Sequence, residues 1–381
     1  MNDVLTKGFA RDEYASVRNL FDSNLSSGID LGASFSATVE GETVVDLWGG
    51  WADAERTRSW NEDTIVNVYS TAKTMTALCA LILIDRGDLD PEAPVARYWP
   101  EFAANGKSKV KVRHLMSHMA GLPSWPSGMK LEDLYDWNKV TDLLAQQMPL
   151  WAPGTAWGYH ANTQGFLIGE VVRRITGRTL GTFFSEEVAD PLGADFHFTL
   201  PASEDARVAD LVAPVGGRPR SMEPTEFALR LFSDPASDPA HTKTRAWRSA
   251  EMPAISGFGN AHAITLVHSL LANGGVVNGK RIMSEEGCRK ALELQFDGHE
   301  IITGGHTRHG LGFYMLTGDH VIPGPNIIYG GGFGGSLVVI DMDARAVCSY
   351  VMNRMIAGPN IRGMALNLAF WNVLSSRPSL Q

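Results

Sequence analysis

A serine three residues ahead of a lysine is the simplest arrangement in this chain that could do covalent chemistry. It occurs three times, as Ser70 with Lys73, Ser108 with Lys111, and Ser127 with Lys130. A serine hydroxyl is a poor nucleophile until a neighbouring base takes its proton. Positions i and i+3 share a helix face, so a lysine amine in this spacing reaches the serine oxygen when both stand on a helix. Context separates the pairs. Ser108 lies in the polar stretch GKSKVK and Ser127 follows Pro126 in a Pro-Ser-Gly turn, whereas Ser70 opens a helical pattern whose second half, ALCALILI, is apolar all round. A helix of that kind belongs at the centre of a protein. Burial and the positive end of the helix dipole would both disfavour a lysine cation and make Lys73 a base. The helix N-terminus also offers the Ser70 backbone N–H to an oxyanion. From these residues alone a plainer reading stands beside this one, with Ser70 an N-cap and Lys73 extended to solvent.

Other chemistries find less support. There is no G-x-S-x-G elbow. A G-x-G-x-x-G string at Gly330, Gly332 and Gly335 lies between the strand-like runs IIY and SLVVI instead of opening a helix, so it reads as a glycine turn where a sheet edge approaches a ligand or another backbone. Cys79, Cys288 and Cys348 are widely spaced among apolar neighbours, as buried free thiols are. His299-Glu300 fails as H-E-x-x-H because position 303 is Thr. No metal and no cofactor are expected.

The elements that must position Ser70 follow from periodicity and turn residues. A helix is predicted over 12–25, a hairpin over 32–48 around Glu40-Gly41-Glu42, and the apolar helix over 70–86, ending at Gly87. From about 91 to 253 helical segments dominate (131–147, 162–175 closed by Gly177, and 180–188). Helices at 261–273 and 284–294 precede strands at 311–316, 326–329, 336–341 and 346–352, and a last helix spans 361–374. The expected fold class is α/β plus all-α: an antiparallel sheet domain built from both chain ends (1–75 and 255–381), flanked by terminal helices, with a helical domain (76–254) inserted.

With 381 residues, 44% hydrophobic and 20% charged, the chain has a globular composition and enough length for a large core without disulfides. The 33 basic and 42 acidic residues give −9. Positive charge is scattered apart from Lys107, Lys109, Lys111 and Arg113, whose alternation reads as a solvated edge, so nucleic acid is not an expected partner. The longest apolar run, 77–84, is far short of the ~20 residues of a membrane span. The polar opening MNDVLTKGFARDEY lacks the apolar region of a signal peptide, and the expected location is cytoplasmic.

Around Ser70-Thr71-Ala72-Lys73, the stretch VNVYSTAKTMTALCALILIDRGDLD resembles the serine β-lactamase and penicillin-binding-protein superfamily, in particular its class C-like branch. VRHLMSHMAGLP, PGTAWGYHANTQGFLIGEVVRRITG, LLANGGVVNGKRIMSEE, HGLGF and GGGFGGS follow in the family's order, so the resemblance spans nearly the whole chain. It implies the β-lactamase-like fold and an acyl-Ser70 intermediate. The family's Tyr-x-Asn reads Tyr159-His160-Ala161 here: the tyrosine that shares a proton with the lysine is retained, the asparagine is not, and Asn162 reads as a helix cap. The family's Lys-Thr-Gly becomes Gly330-Gly331-Gly332, where related esterases show His-Gly-Gly or Trp-Gly-Gly. Gly330 has no side chain to pair with the carboxylate of a β-lactam or a D-Ala-D-Ala peptide, while the Phe333 N–H can complete an oxyanion hole with that of Ser70.

The chain thus resembles carboxylesterases of the β-lactamase-like type, the family VIII esterases, and the resemblance implies hydrolysis of a small neutral ester by Ser70, Lys73 and Tyr159. Trp125, Trp157 and Phe333 suit an apolar acyl or alcohol pocket, or else pack a seam between domains. His160 is a further candidate for substrate contact. A β-lactamase, a D-amino-acid peptidase or an acyltransferase would use the same residues. A non-catalytic binding module is disfavoured because Ser70, Lys73 and Tyr159 are all present.

Overall fold

A computed structural model describes residues 6–126, 128–214, 235, 238–302, 304–317, 322, 324–356, 358 and 361–376; Ser127, of the third Ser-x-x-Lys pair, lies outside them. The chain begins with β1 (Lys7–Ala10), α1 (Ala15–Ser26) and the hairpin β2 (Gly32–Val39) and β3 (Glu42–Gly50). Glu40 and Gly41 both have positive φ, the two-residue turn whose twist matches that of paired strands. β4 (Val66–Asn67) leads into α2 (Ala72–Asp85). The middle of the chain carries α3 (Trp137–Gln146), α4 (Thr163–Thr176) and the short strands β5 (Phe196–His197) and β6 (Phe258–Gly259), followed by α5 (Ala261–Ala272). β7 (Val276–Val277) and β8 (Lys280–Arg281) form a small hairpin. Then come β9 (Phe296–His299), β10 (His306–His309), β11 (Tyr314–Met315), β12 (Ile327–Gly331), β13 (Leu337–Asp341), β14 (Ala346–Met352) and α6 (Ile361–Ser375).

The two chain ends meet in one nine-stranded antiparallel sheet, in the order β1-β3-β2-β14-β13-β12-β11-β10-β9. Its junction pairs β2 with β14, Phe35 opposite Tyr350 and Ala37 opposite Cys348. Because successive strand residues face opposite sides, Cys348 meets Asn367 of α6 while Ser349 donates to the Ala261 carbonyl of α5. The sheet is therefore covered by terminal helices on one face and by α5 on the other. Asp30 and Arg362 add a buried ion pair between the two chain ends, 2.7 Å long. Every residue of α2 from Ala72 to Leu83 is buried, as the all-apolar pattern required. All three cysteines are buried free thiols. Among the described residues no helix is long and apolar enough to cross a membrane.

Several elements differ from expectation for local reasons. The helix predicted over 131–147 is interrupted: a 3₁₀ turn, Leu131–Tyr135, precedes α3 because the Asp136 side chain caps it, accepting from the Lys139 N–H at 3.1 Å. The strand predicted over 311–316 shrinks to β11, since Gly312 turns with φ +91 and passes so close to Ala77 of α2 that a side chain there would collide. Lys107 is wholly buried and not part of a solvated edge; the turn before it folds back, and its ammonium donates to the Ala104 and Gln147 carbonyls.

Candidate active site

Ser70 sits one turn earlier than the α-helix proper, in the 3₁₀ turn Tyr69–Thr71 that feeds α2. The turn is sharp: Tyr69 has φ +46, a conformation that costs a non-glycine residue free energy and persists only where its surroundings hold it. Here Val68 N–H donates to the Gly257 carbonyl, and the Tyr69 ring is wedged edge-on between Trp247 and Phe333. Ser336, just after the glycine run, completes the clamp. Its hydroxyl donates to the Val68 carbonyl at 2.8 Å and lies 2.9 Å from the Thr71 hydroxyl, tying the Ser70 turn to the β12–β13 connection.

Lys73 is 5% exposed. Its Nζ donates to the Ala161 carbonyl (2.6 Å) and the Ala254 carbonyl (2.9 Å) and lies 2.9 Å from Ser70 Oγ. No carboxylate is among these partners, and burial drives the amine well below the usual lysine range. A neutral amine has two N–H groups and one lone pair. In that form, with both N–H groups on carbonyls, the lone pair would face the Ser70 hydroxyl. Tyr159 is hydrogen-bonded to Ser70, and burial pushes its phenol up to about 12, so it is neutral at neutral pH. Its ring centre lies 5.0 Å from Lys73 Nζ.

A narrow pocket opens onto these groups, lined also by Thr74, His118, His309, Gly312, Tyr314, Tyr329, Gly330 and Gly331. Among these described lining residues Lys73 is the only lysine or arginine, and there is no aspartate or glutamate. The histidines are neutral: burial brings His309 down to about 4 and puts His118 well below its ordinary range. Tyr314 and Tyr329 are a cross-strand pair with stacked rings.

The chain is similar to known proteins both in sequence and in fold. The family model described as Beta-lactamase matches residues 19–369. The chain belongs to the Beta-lactamase family. Within it, the chain is 32% identical over 364 residues to Esterase/beta-lactamase LipL of Mycobacterium tuberculosis, covering 92% of this chain and 83% of LipL. The fold superposes on the crystal structure of a family VIII carboxylesterase with a TM-score of 0.91 at 39% identity, covering 97% of this chain and all of that one. It superposes equally on a penicillin-binding protein homologue from Caulobacter crescentus, with a TM-score of 0.91 at 34% identity and the same coverage of both chains.

The structure of this Beta-lactamase family chain brings Ser70, Lys73, Tyr159, Gly330 and Gly331 together and separates other residues singled out from the sequence. Trp125 is a core residue away from the pocket, its ring against Phe166 and its Nε1–H on the Val140 carbonyl. Trp157 is buried behind Tyr159, whose ring it stacks on. His160 is scaffold: its Nδ1–H donates to the Gly158 carbonyl, and Nε2 accepts from Leu122 N–H. Gly332 faces Val68 and Ser336, where a Cβ would have no room, and the Phe333 ring packs on Tyr69. Asn162 is the N-cap residue of α4 without a side-chain capping bond. Ser108 is exposed, and its Lys111 pairs with Glu92. Sequence reasoning missed Thr74, His118, His309, Gly312, Tyr314 and Tyr329 as pocket residues. The stretches SHMAGLP and HGLGF contained three of them but carried no sign of which side chains face inward.

Proposed function

We propose that this chain is a serine hydrolase of small neutral carboxylic esters, acting through an acyl-Ser70 intermediate at the seam between the sheet part (1–75 and 255–381) and the helical part (76–254). The observation that carries the reading is the shell of Lys73: two backbone carbonyls, the Ser70 hydroxyl and, among the described residues, no counter-ion. Such a lysine is a base. It takes the Ser70 proton as Oγ attacks the ester carbonyl carbon. The negative charge on the carbonyl oxygen is met by the Ser70 backbone N–H and by an N–H of the run from Gly331 to Phe333. When the C–O bond to the alcohol breaks, Tyr159 gives its proton to the leaving alkoxide and regains one from Lys73. Water then enters, the pair removes its proton as the oxygen attacks the acyl carbon, and Ser70 leaves reprotonated.

The preference for neutral esters rests on β12. Gly330 stands where the family's β-lactam-recognising members carry lysine, and a Cβ there would run into the Thr74 methyl. Among the described lining residues no other lysine or arginine replaces it. One missing charge-assisted bond is worth about 1.5–3 kcal/mol, or roughly ten- to a hundredfold in rate. The kcat/KM for p-nitrophenyl butyrate should therefore exceed that for a chromogenic cephalosporin by at least roughly tenfold. Equal efficiency on the two would overturn the reading in favour of a β-lactamase.

A further inference from the structure

Tyr159 belongs to the irregular stretch that leads into α4, and loops do not by themselves hold a side chain to the fraction of an ångström that proton transfer needs. One side of this stretch is fastened to the segment around His118. Gly158 N–H donates to the His118 carbonyl at 3.1 Å, and His160 N–H donates to His118 Nδ1 at 3.1 Å. The alternate residues, Tyr159 and Ala161, meet a different part of the chain. Directly after β9, Ile301 N–H donates to the Trp157 carbonyl at 3.0 Å, and Ile302 N–H donates to the Glu300 carboxylate at 2.8 Å. Ile302 is 1% exposed. It packs with Tyr159, Ala161 and Ile301 in an apolar cluster separate from the main core.

Ile302 thus touches the residue whose hydroxyl bonds Ser70 and the residue whose carbonyl holds Lys73. Resting on the acyl-serine reading above, we propose that Ile302 is a positioning residue, an apolar plug that holds Tyr159 and the Ala161 carbonyl in register and keeps water from their outer side. A β-branched side chain fits this task because it has few rotamers to lose. The other ionisable groups around this pair are His118 and His160, His309 from β10, Tyr314 from β11, Tyr329 from β12, and Glu300 beside the plug, which acts on Tyr314. Hydration of the Lys73 shell would favour its cation and move its titration upward.

The test compares wild type with Ile302→Ala, Ile302→Thr and Ile302→Val. It measures p-nitrophenyl butyrate hydrolysis and, independently of any ester, the pH dependence of Ser70 labelling by a fluorophosphonate. Ile302→Ala and Ile302→Thr should lower kcat roughly tenfold with little change in KM. In both, the acid limb of labelling should move to higher pH by about half a unit or more, and Ile302→Val should restore both. Ile302→Thr keeps the β-branched shape, so it reports hydration even if the alanine variant folds poorly. Wild-type labelling profiles in both variants, or lost turnover with an unmoved acid limb, would overturn the proposal. Because labelling needs no ester, failure of the ester reading would show separately, as absent hydrolysis by the wild type.

Discussion

Lys73 and Lys107 are buried by nearly the same means. Each donates to two backbone carbonyls, and each lies close to an aromatic ring, Tyr159 at 5.0 Å and Phe102 at 5.3 Å. Burial depresses both, Lys107 to about 8 and Lys73 further below its ordinary range. The difference lies in the last neighbour: Lys73 has Ser70 Oγ at 2.9 Å and a pocket beyond it, whereas Lys107 fastens the 104–107 turn to the end of α3. Arg362 shows the other way to bury a cation, with Asp30 as counter-ion and Tyr350 donating to the same carboxylate at 2.6 Å. A buried lysine with a low pKa is therefore not sufficient for catalysis. On the function proposed above, Lys73 is the base because no counter-ion stands among its described partners and a hydroxyl lies within reach to deprotonate.

The sharpest way to break this comparison is to replace each lysine by methionine. Lys73→Met should lower kcat at least ~10²-fold, while Lys107→Met should leave kcat/KM for p-nitrophenyl butyrate unchanged in protein that remains folded. A comparable loss in both would mean that burial alone matters. The pH dependence of stability adds a second reading. Lys107 titrates at about 8 in the folded chain and near 10.4 unfolded, so between those values the unfolded state binds more protons and wild type gains stability as pH rises. Relative to Lys107→Met, wild type should gain about 1–3 kcal/mol across that window in urea titrations.

Removing the counter-ion of Arg362 should give a stability effect without a catalytic one. Asp30→Asn leaves Arg362 unpaired and should cost about 3–5 kcal/mol, with kcat/KM retained below the lowered Tm. A smaller effect separates two adjacent glycines. Gly331 has only ordinary contacts around its Cβ position, whereas Gly330 meets Thr74. Gly330→Lys should therefore destabilise by about 1–3 kcal/mol, and Gly331→Lys should leave the melting temperature close to that of wild type.

Much of this was legible in the sequence, because its signals were local. The all-apolar run after Lys73 separated Ser70 from Ser108, and β14, with its apolar run, was expected with the bounds observed. Tyr159 became a candidate through family resemblance, since nothing around it in the chain distinguishes a relay tyrosine from a core one. What escaped was decided by long-range pairing. Tyr314 and Tyr329 face the pocket because β11 and β12 pair in one register. β9 and β10, FDGH and HTRH, are polar strands at the sheet edge and lack the alternation that marks a half-buried strand. Lys107 looked like one more charge in an alternating run, because no sequence pattern records that a turn folds back onto the end of a distant helix.

The central claim, that Ser70 is acylated with Lys73 as its base, is tested most directly by trapping the intermediate. The reaction with p-nitrophenyl acetate would be acid-quenched within the first turnover and the peptides mapped by mass spectrometry. The account predicts one acetyl group on the peptide holding Ser70 in wild type and its absence in Lys73→Met quenched at the same time. An acetyl group on Ser108 or Ser127, or ester turnover with no adduct on Ser70 at any quench time, would contradict it.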